Sequence, residues 1–282
     1  MIVWLASYPK SGNTWVRFFI LSLVFGNKSK INLNNLKLIT QFPKKSQFKN
    51  LMNDYQNFDE ISKNWIASQN QINSDNKIRF FKTHNMKCCL DNNCFTDIKN
   101  TLASIYIVRD PRNVITSLKN HFSFENDDQV KEFMFNERQA IKPTKILENQ
   151  DYLLEVIIGS WKTHYISWKS IKKNFLLIKY ENLIENTKSE FLKLTNFLEK
   201  ILNTKFTEEQ IDKAIMESSF DNLVQMEKIT GFDESTINKK TGKRNVFFNL
   251  GPKNNWKTIL NKKYANIIEN EFKTEMKELG YL

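Results

Sequence analysis

Four short segments that read as strands, most of them followed by a stretch with helical patterning, constrain this chain of 282 residues more than any other feature. They cover residues 1–6, 79–83 ("RFFKT"), 104–108 ("SIYIV") and 175–179 ("FLLIK"). The first begins at Met1, is rich in β-formers and reads as a buried strand. No hairpin signal separates the four, so successive strands need crossover connections. The expected architecture is an α/β fold with a central parallel sheet flanked by helices. Helices are expected at 14–25, which is apolar almost all round, and at 58–71, 152–172, 188–202, 208–218 and 264–279. A further helix starts at Asp110-Pro111, an acid at the N-cap and a proline at the first helical position. Residues 30–60 read as loop with a short helix, and 229–255 as one long loop of the kind that covers ligands. No repeat, linker or low-complexity tract divides the chain, so residues 1–282 are expected to form a single domain.

In open parallel sheets, ligands lie beyond the carboxyl ends of the strands. Lys10, Lys82 with His84, Arg109 and Tyr180 all stand at or just past such ends. The first end, "YPKSGNTW" (8–15), feeds a helix N-terminus, whose unpaired N–H groups and dipole favour an anion. Lys10 adds a full charge, Ser11 and Thr14 add hydroxyl donors, and Gly12 permits a sharp turn. By itself the stretch fits an ordinary strand-to-helix turn as well as it fits a phosphate or sulfate cradle.

Basic residues outnumber acids 42 to 31, for a formal net charge of +11. The excess attracts anionic ligands, polyanions or anionic membranes without distinguishing them. No aromatic-interleaved basic motif supports nucleic acid binding, and none is expected. Cys88, Cys89 and Cys94 are clustered, odd in number and without histidine at ligand spacing. They are expected to be reduced cysteines in a loop, neither zinc ligands nor a disulfide framework. No stretch approaches the ~20 apolar residues of a membrane span, and no leader precedes the first strand; no transmembrane segment and a cytoplasmic location are expected.

At these motifs the chain resembles the cytosolic-type sulfotransferases, which transfer a sulfuryl group from 3′-phosphoadenosine 5′-phosphosulfate (PAPS). "YPKSGNTW" resembles the family's 5′-phosphosulfate loop, Y-P-K-S-G-T-T-W, with Asn13 in place of the first threonine. "FKTH" resembles the strand end that carries the catalytic base, and "YIVRDPRNVITSLKNHF" the 3′-phosphate motif, with Arg109 and Ser117 in the matching places. "KYENL" is similar to the tyrosine segment beside the adenine, "ESSF" to the Ser/Thr-x-Phe segment, and "GSWKTHYISW" to a structural helix. The matches keep family order from residue 4 to residue 256. The closing motif, R-K-G-x-x-G-D-W-K, departs: Asn249 and Leu250 stand where the arginine and lysine would pair with the 3′-phosphate, while Gly251, Trp256 and Lys257 match. Lys253, Arg244 or amides near Gly251 are the candidates to take over that charge. The family's dimerisation motif is not recognisable in "WKTILNKKYAN".

The resemblance implies a P-loop NTPase-like sulfotransferase fold and in-line transfer, without a metal, to a hydroxyl or amine of a small-molecule, glycan or lipid acceptor. The product nucleotide is 3′,5′-bisphosphoadenosine (PAP). It places Lys10 at the bridging oxygen, Lys82 beside the sulfuryl oxygens and His84 as general base. Ser11, Gly12, Asn13, Thr14 and Trp15 line the 5′-phosphate. Arg109 and Ser117, with Asn249, Leu250 and Gly251, belong to the 3′-phosphate, and Trp15, Tyr180, Ser218 and Phe220 to the adenine. His121 has a quieter place at a helix end and His164 as a core or capping residue of its helix. Loops 27–57, 85–100 and 229–248 are expected to shape the acceptor pocket. A nucleotide kinase is one alternative, but it needs G-x-x-x-x-G-K-[ST], and here Lys10 precedes the only glycine of the loop. A non-catalytic nucleotide- or polyanion-binding module is the other; Lys10, Lys82 and His84 together argue against it, since binding alone needs no base.

Overall fold

The computed structural model describes residues 1–26, 31–143, 150–238 and 241–282. Within the loops expected to shape an acceptor pocket, residues 27–30 and 239–240 lie outside the described residues. Strands β1 (Ile2–Ser7), β2 (Arg79–Thr83), β3 (Thr101–Val108) and β4 (Phe175–Lys179) form the central parallel sheet in the order β2-β1-β3-β4, flanked by helices. β1 and β2 pair from Ile2 opposite Arg79 to Ala6 opposite Thr83. Every residue of β1 is buried, which a strand covered on both faces requires and which its unbroken apolar run supplies.

By its contacts the chain forms two compact units. The first comprises Met1–Tyr8, Ile39–Tyr106 and Asn136–Leu177; the second comprises Pro9–Leu38, Ile107–Phe135 and Ile178–Leu282. The first is built on Trp4, whose ring lies 5.4 Å from Phe42 and 5.3 Å from Phe95 and whose indole N–H donates to Thr101 Oγ1 at 3.0 Å. In the second, helix α1 (Asn13–Phe25) is buried from Asn13 through Leu23, and Phe19 stacks on Phe191 at 4.0 Å. Helix α2 (Pro111–Phe122) opens at the expected cap, with the Asp110 carboxylate accepting the Arg112 N–H at 2.9 Å.

Five expectations are corrected. The helix expected at 152–172 is shorter, Trp161–Lys169, because Gly159 adopts φ 61° and the Ser160 hydroxyl caps a fresh start by accepting from the Thr163 N–H; Val156–Ile157 before it is a strand. The one at 58–71 is two helices, Phe58–Lys63 and Trp65–Ile72, broken at Asn64, whose side-chain amide donates to the Glu60 carbonyl. The one at 264–279 divides at Phe272 into Lys262–Glu271 and Lys273–Glu278. Hairpins do occur: Cys89–Leu90 pairs with Asn93–Cys94 around Asp91 and Asn92, both at positive φ, and Ala140–Ile141 pairs with Val156–Ile157. The first hairpin carries a Cys89–Cys94 disulfide in place of the expected reduced thiols; Cys88 is free. No described helix is long and apolar enough to cross a membrane.

Candidate active site

In the second unit, the turn into α1 has two residues in the left-handed region, Lys10 at φ 65° and Gly12 at φ 100°. Alternating handedness of this kind turns successive backbone N–H groups toward one side, the geometry of an anion nest. Gly12 is the N-cap of α1, no side chain caps it, and the first turn holds no acid. The Ser11 hydroxyl is buried and has no hydrogen-bond partner among the described residues. A buried hydroxyl costs free energy until it is paired, so the turn fits an oxyanion beside Ser11. A Cβ on Gly12 would come within 2.5 Å of Tyr180 Cδ2, so only glycine lets the turn lie against that ring.

The same unit brings other expected residues to this turn. Arg109, at the end of β3, donates from Nη1 to the Lys10 carbonyl at 3.1 Å, and its guanidinium lies 4.0 Å from the centre of the Tyr180 ring. Trp15 meets Tyr180 edge to face at 5.9 Å. Ser117 lies further along α2 and is half-buried. Phe220 opens helix Phe220–Thr230, and a Cβ on Gly251 would fall 2.2 Å from its ring, so that loop passes close over Phe220. Ser218 is fully buried and its hydroxyl turns back to the Ile215 carbonyl. Asn249 and Leu250 are exposed. Arg244 spends its guanidinium on the carbonyls of Phe232 and Ser235, within its own loop.

Sequence reasoning missed the groups that hold this loop. The Glu227 carboxylate accepts the N–H groups of Phe247 and Phe248 at 2.7 and 2.9 Å and the Ser235 hydroxyl at 3.1 Å. Phe247 thereby sits under the Lys10 ammonium, 3.7 Å from its ring centre. Buried Arg17 pairs with Glu234 of the same loop. Nothing local in the sequence marks these acids, which could be solvated surface residues.

In the first unit, β2 delivers buried Lys82 and half-buried His84. His84 Nδ1 stands 2.7 Å from the Ser7 carbonyl oxygen. A carbonyl only accepts, so Nδ1 carries the proton and the neutral ring keeps its lone pair on Nε2. The His84 carbonyl in turn accepts from His164 Nε2 at 3.1 Å, which leaves His164 Nδ1 to accept from the Tyr106 hydroxyl at 2.9 Å. Burial holds the Tyr106 phenol well above its usual range and pushes His164 down to about 3, so both stay neutral. His164 is thus the core histidine expected, with the added role of anchoring the backbone of His84.

Residues 2–280 match the model of the sulfotransferase domain family. The chain belongs to that family. It is 24% identical over 285 residues to the rabbit (Oryctolagus cuniculus) amine sulfotransferase, covering 98% of this chain and 81% of that one. It is 26% identical over 286 residues to human sulfotransferase 1E1, covering 95% and 83%. Among solved structures, the mouse sulfotransferase SULT7A1 complexed with PAP superposes with a TM-score of 0.59 at 21% identity, covering 98% of this chain and 84% of that chain, a likeness of fold. The expected enzyme class, a PAPS-dependent sulfotransferase, agrees with these relatives.

Proposed function

We propose that residues 1–282 act as one sulfotransferase domain that moves the sulfuryl group of PAPS to a hydroxyl or amine of a small-molecule acceptor, with His84 as general base. The observation that carries the assignment is the pairing of His84 Nδ1 with the Ser7 carbonyl, which directs the basic nitrogen away from the backbone. PAPS supplies the sulfuryl group on a good leaving group. His84 Nε2 takes the acceptor proton as the acceptor oxygen bonds to sulfur and the bond from sulfur to the leaving phosphate breaks. Lys10 neutralises the charge that grows on that phosphate, and Lys82 orients the sulfuryl oxygens. The Gly12 turn with Ser11 and Thr14 holds the 5′-phosphate; Arg109 and Ser117 hold the 3′-phosphate; Trp15, Tyr180 and Phe220 enclose the adenine. The cytoplasmic location belongs to the same proposal.

His84→Ala is expected to lower turnover by about 100-fold or more while PAP binding, followed by calorimetry, stays near wild type. Turnover within a few-fold of wild type removes His84 from the mechanism. ATP binding as tight as PAP binding favours a kinase instead. Trials with PAPS and a panel of phenols, steroid alcohols and amines identify the acceptor.

A further inference from the structure

Behind Arg109 and Tyr180 lies a set of polar groups to which, apart from the Asp110 helix cap, the motifs give no role. Each of the two nucleotide residues is followed by an acid, Asp110 and Glu181. Glu181 Oε1 accepts the Asp110 backbone N–H at 3.0 Å, which ties the turn after β3 to the turn after β4. Glu181 Oε2 accepts the hydroxyl of Tyr281 at 2.8 Å. Tyr281 is itself held at both ends: its carbonyl accepts from Arg112 Nη2 at 2.8 Å and its N–H donates to the Met276 carbonyl at 2.8 Å. Arg112 also grips Asp110, through Nε at 3.0 Å and Nη2 at 2.7 Å. Lys179 closes the set, donating to the Leu279 carbonyl with its ammonium 4.7 Å from the Tyr281 ring centre.

The consequence is geometric. Arg109 and Tyr180 meet as cation and ring at 4.0 Å, on two turns joined through Glu181. Burial raises the Glu181 carboxyl above its usual range, so this group depends on its donors, and Tyr281 supplies one of them. We propose that Glu181 and Tyr281 form a brace that fixes the spacing of Arg109 and Tyr180, making Tyr281 a positioning residue for the 3′-phosphate and adenine of the nucleotide. This rests on the sulfotransferase reading above.

Tyr281→Phe keeps the ring and removes only the hydroxyl. It should weaken PAP binding about fivefold or more, weaken adenosine 5′-phosphate less, raise KM for PAPS and leave KM for the acceptor and turnover at saturating PAPS unchanged. Glu181→Gln retains an acceptor for the Asp110 N–H and a polar partner for Tyr281, so it should stay within about twofold of wild type, whereas Glu181→Ala should lose affinity as Tyr281→Phe does. A purely structural role would lower thermal stability without changing the preference for PAP over adenosine 5′-phosphate. Tyr281→Phe with that preference and the PAP affinity both unchanged overturns the brace while leaving the sulfotransferase reading intact. Failure of the wild-type protein to bind PAP overturns that reading, and the brace with it.

Discussion

His164 ties the stability of the protein to pH in a way that one substitution can isolate. Its imidazole is fully buried, receives the Tyr106 hydroxyl at Nδ1, donates from Nε2 to the His84 carbonyl and faces the edge of the Tyr8 ring at 5.7 Å. No counter-charge is among these partners, so burial holds the group at about 3 in the folded state against 6.5 when free. A depressed folded value means that the unfolded chain binds the proton first. Its contribution to stability is therefore complete above about pH 6.5 and lost as pH falls toward 3. The gap between 6.5 and about 3, at about 1.4 kcal/mol per pH unit, amounts to about 5 kcal/mol, of which about 2 kcal/mol is lost between pH 7 and pH 5. His164→Gln keeps a donor for the His84 carbonyl and cannot titrate. Denaturant midpoints of both proteins, measured from pH 7 to pH 5, should converge by about 2 kcal/mol because only the wild type loses this term. The other titrating groups are common to both and cancel in the difference. Parallel stability curves across that range would show that His164 takes up a proton in place, and the neutral link to His84 would fail with it.

Three further substitutions test the nucleotide side. Gly12→Ala should cost about 1–3 kcal/mol of stability and sharply weaken PAP binding, since a non-glycine residue is strained at a left-handed φ and its Cβ would meet the Tyr180 ring; wild-type behaviour in denaturation and calorimetry would contradict the close approach. Asn249→Arg should tighten PAP over adenosine 5′-phosphate by about tenfold, as one added charge-assisted bond allows, and Lys253→Ala should reduce that preference. An unchanged ratio of affinities in both variants would move this loop to the acceptor side.

β1 was legible because burial on both faces leaves an unbroken apolar run with abrupt polar ends, and β2 and β4 because each has a short apolar run beside a basic residue. β2 and β4 fall at the expected limits, and β1 differs only by Met1 and Ser7 at its ends. Helix interiors were legible less well, since the features that interrupt them act through one residue. Trp161, Tyr165 and Trp168 have helical spacing, yet Gly159 at φ 61° interrupts the helix before Ser160 restarts it, and a Cβ there would strike Thr163 Oγ1 at 2.6 Å. Asp91 and Asn92 likewise bring Cys89 to Cys94 by a two-residue turn, a pattern outweighed in the sequence by the odd count of cysteines.

In the proposed site the division is between groups proposed to meet the ligand and groups that hold them. Lys10, Gly12, His84, Arg109 and Tyr180 could be proposed from the sequence because phosphate, sulfuryl and proton transfer each restrict the residue types that serve, and the restriction leaves short motifs at strand ends. Glu181, Glu227, His164 and Tyr281 were not, because they act on backbone groups brought near by folding, and any surface acid or core ring gives the same local pattern. Arg244 shows the limit from the other side. As a free cation near an altered motif it was a fair candidate for the 3′-phosphate, but its guanidinium bonds to the carbonyls of Phe232 and Ser235. Turning it to a phosphate would leave two loop carbonyls without that donor and loosen the segment that carries Phe247 to Lys10. Of the two side chains considered, Lys253 is exposed and is the one proposed for a 3′-phosphate.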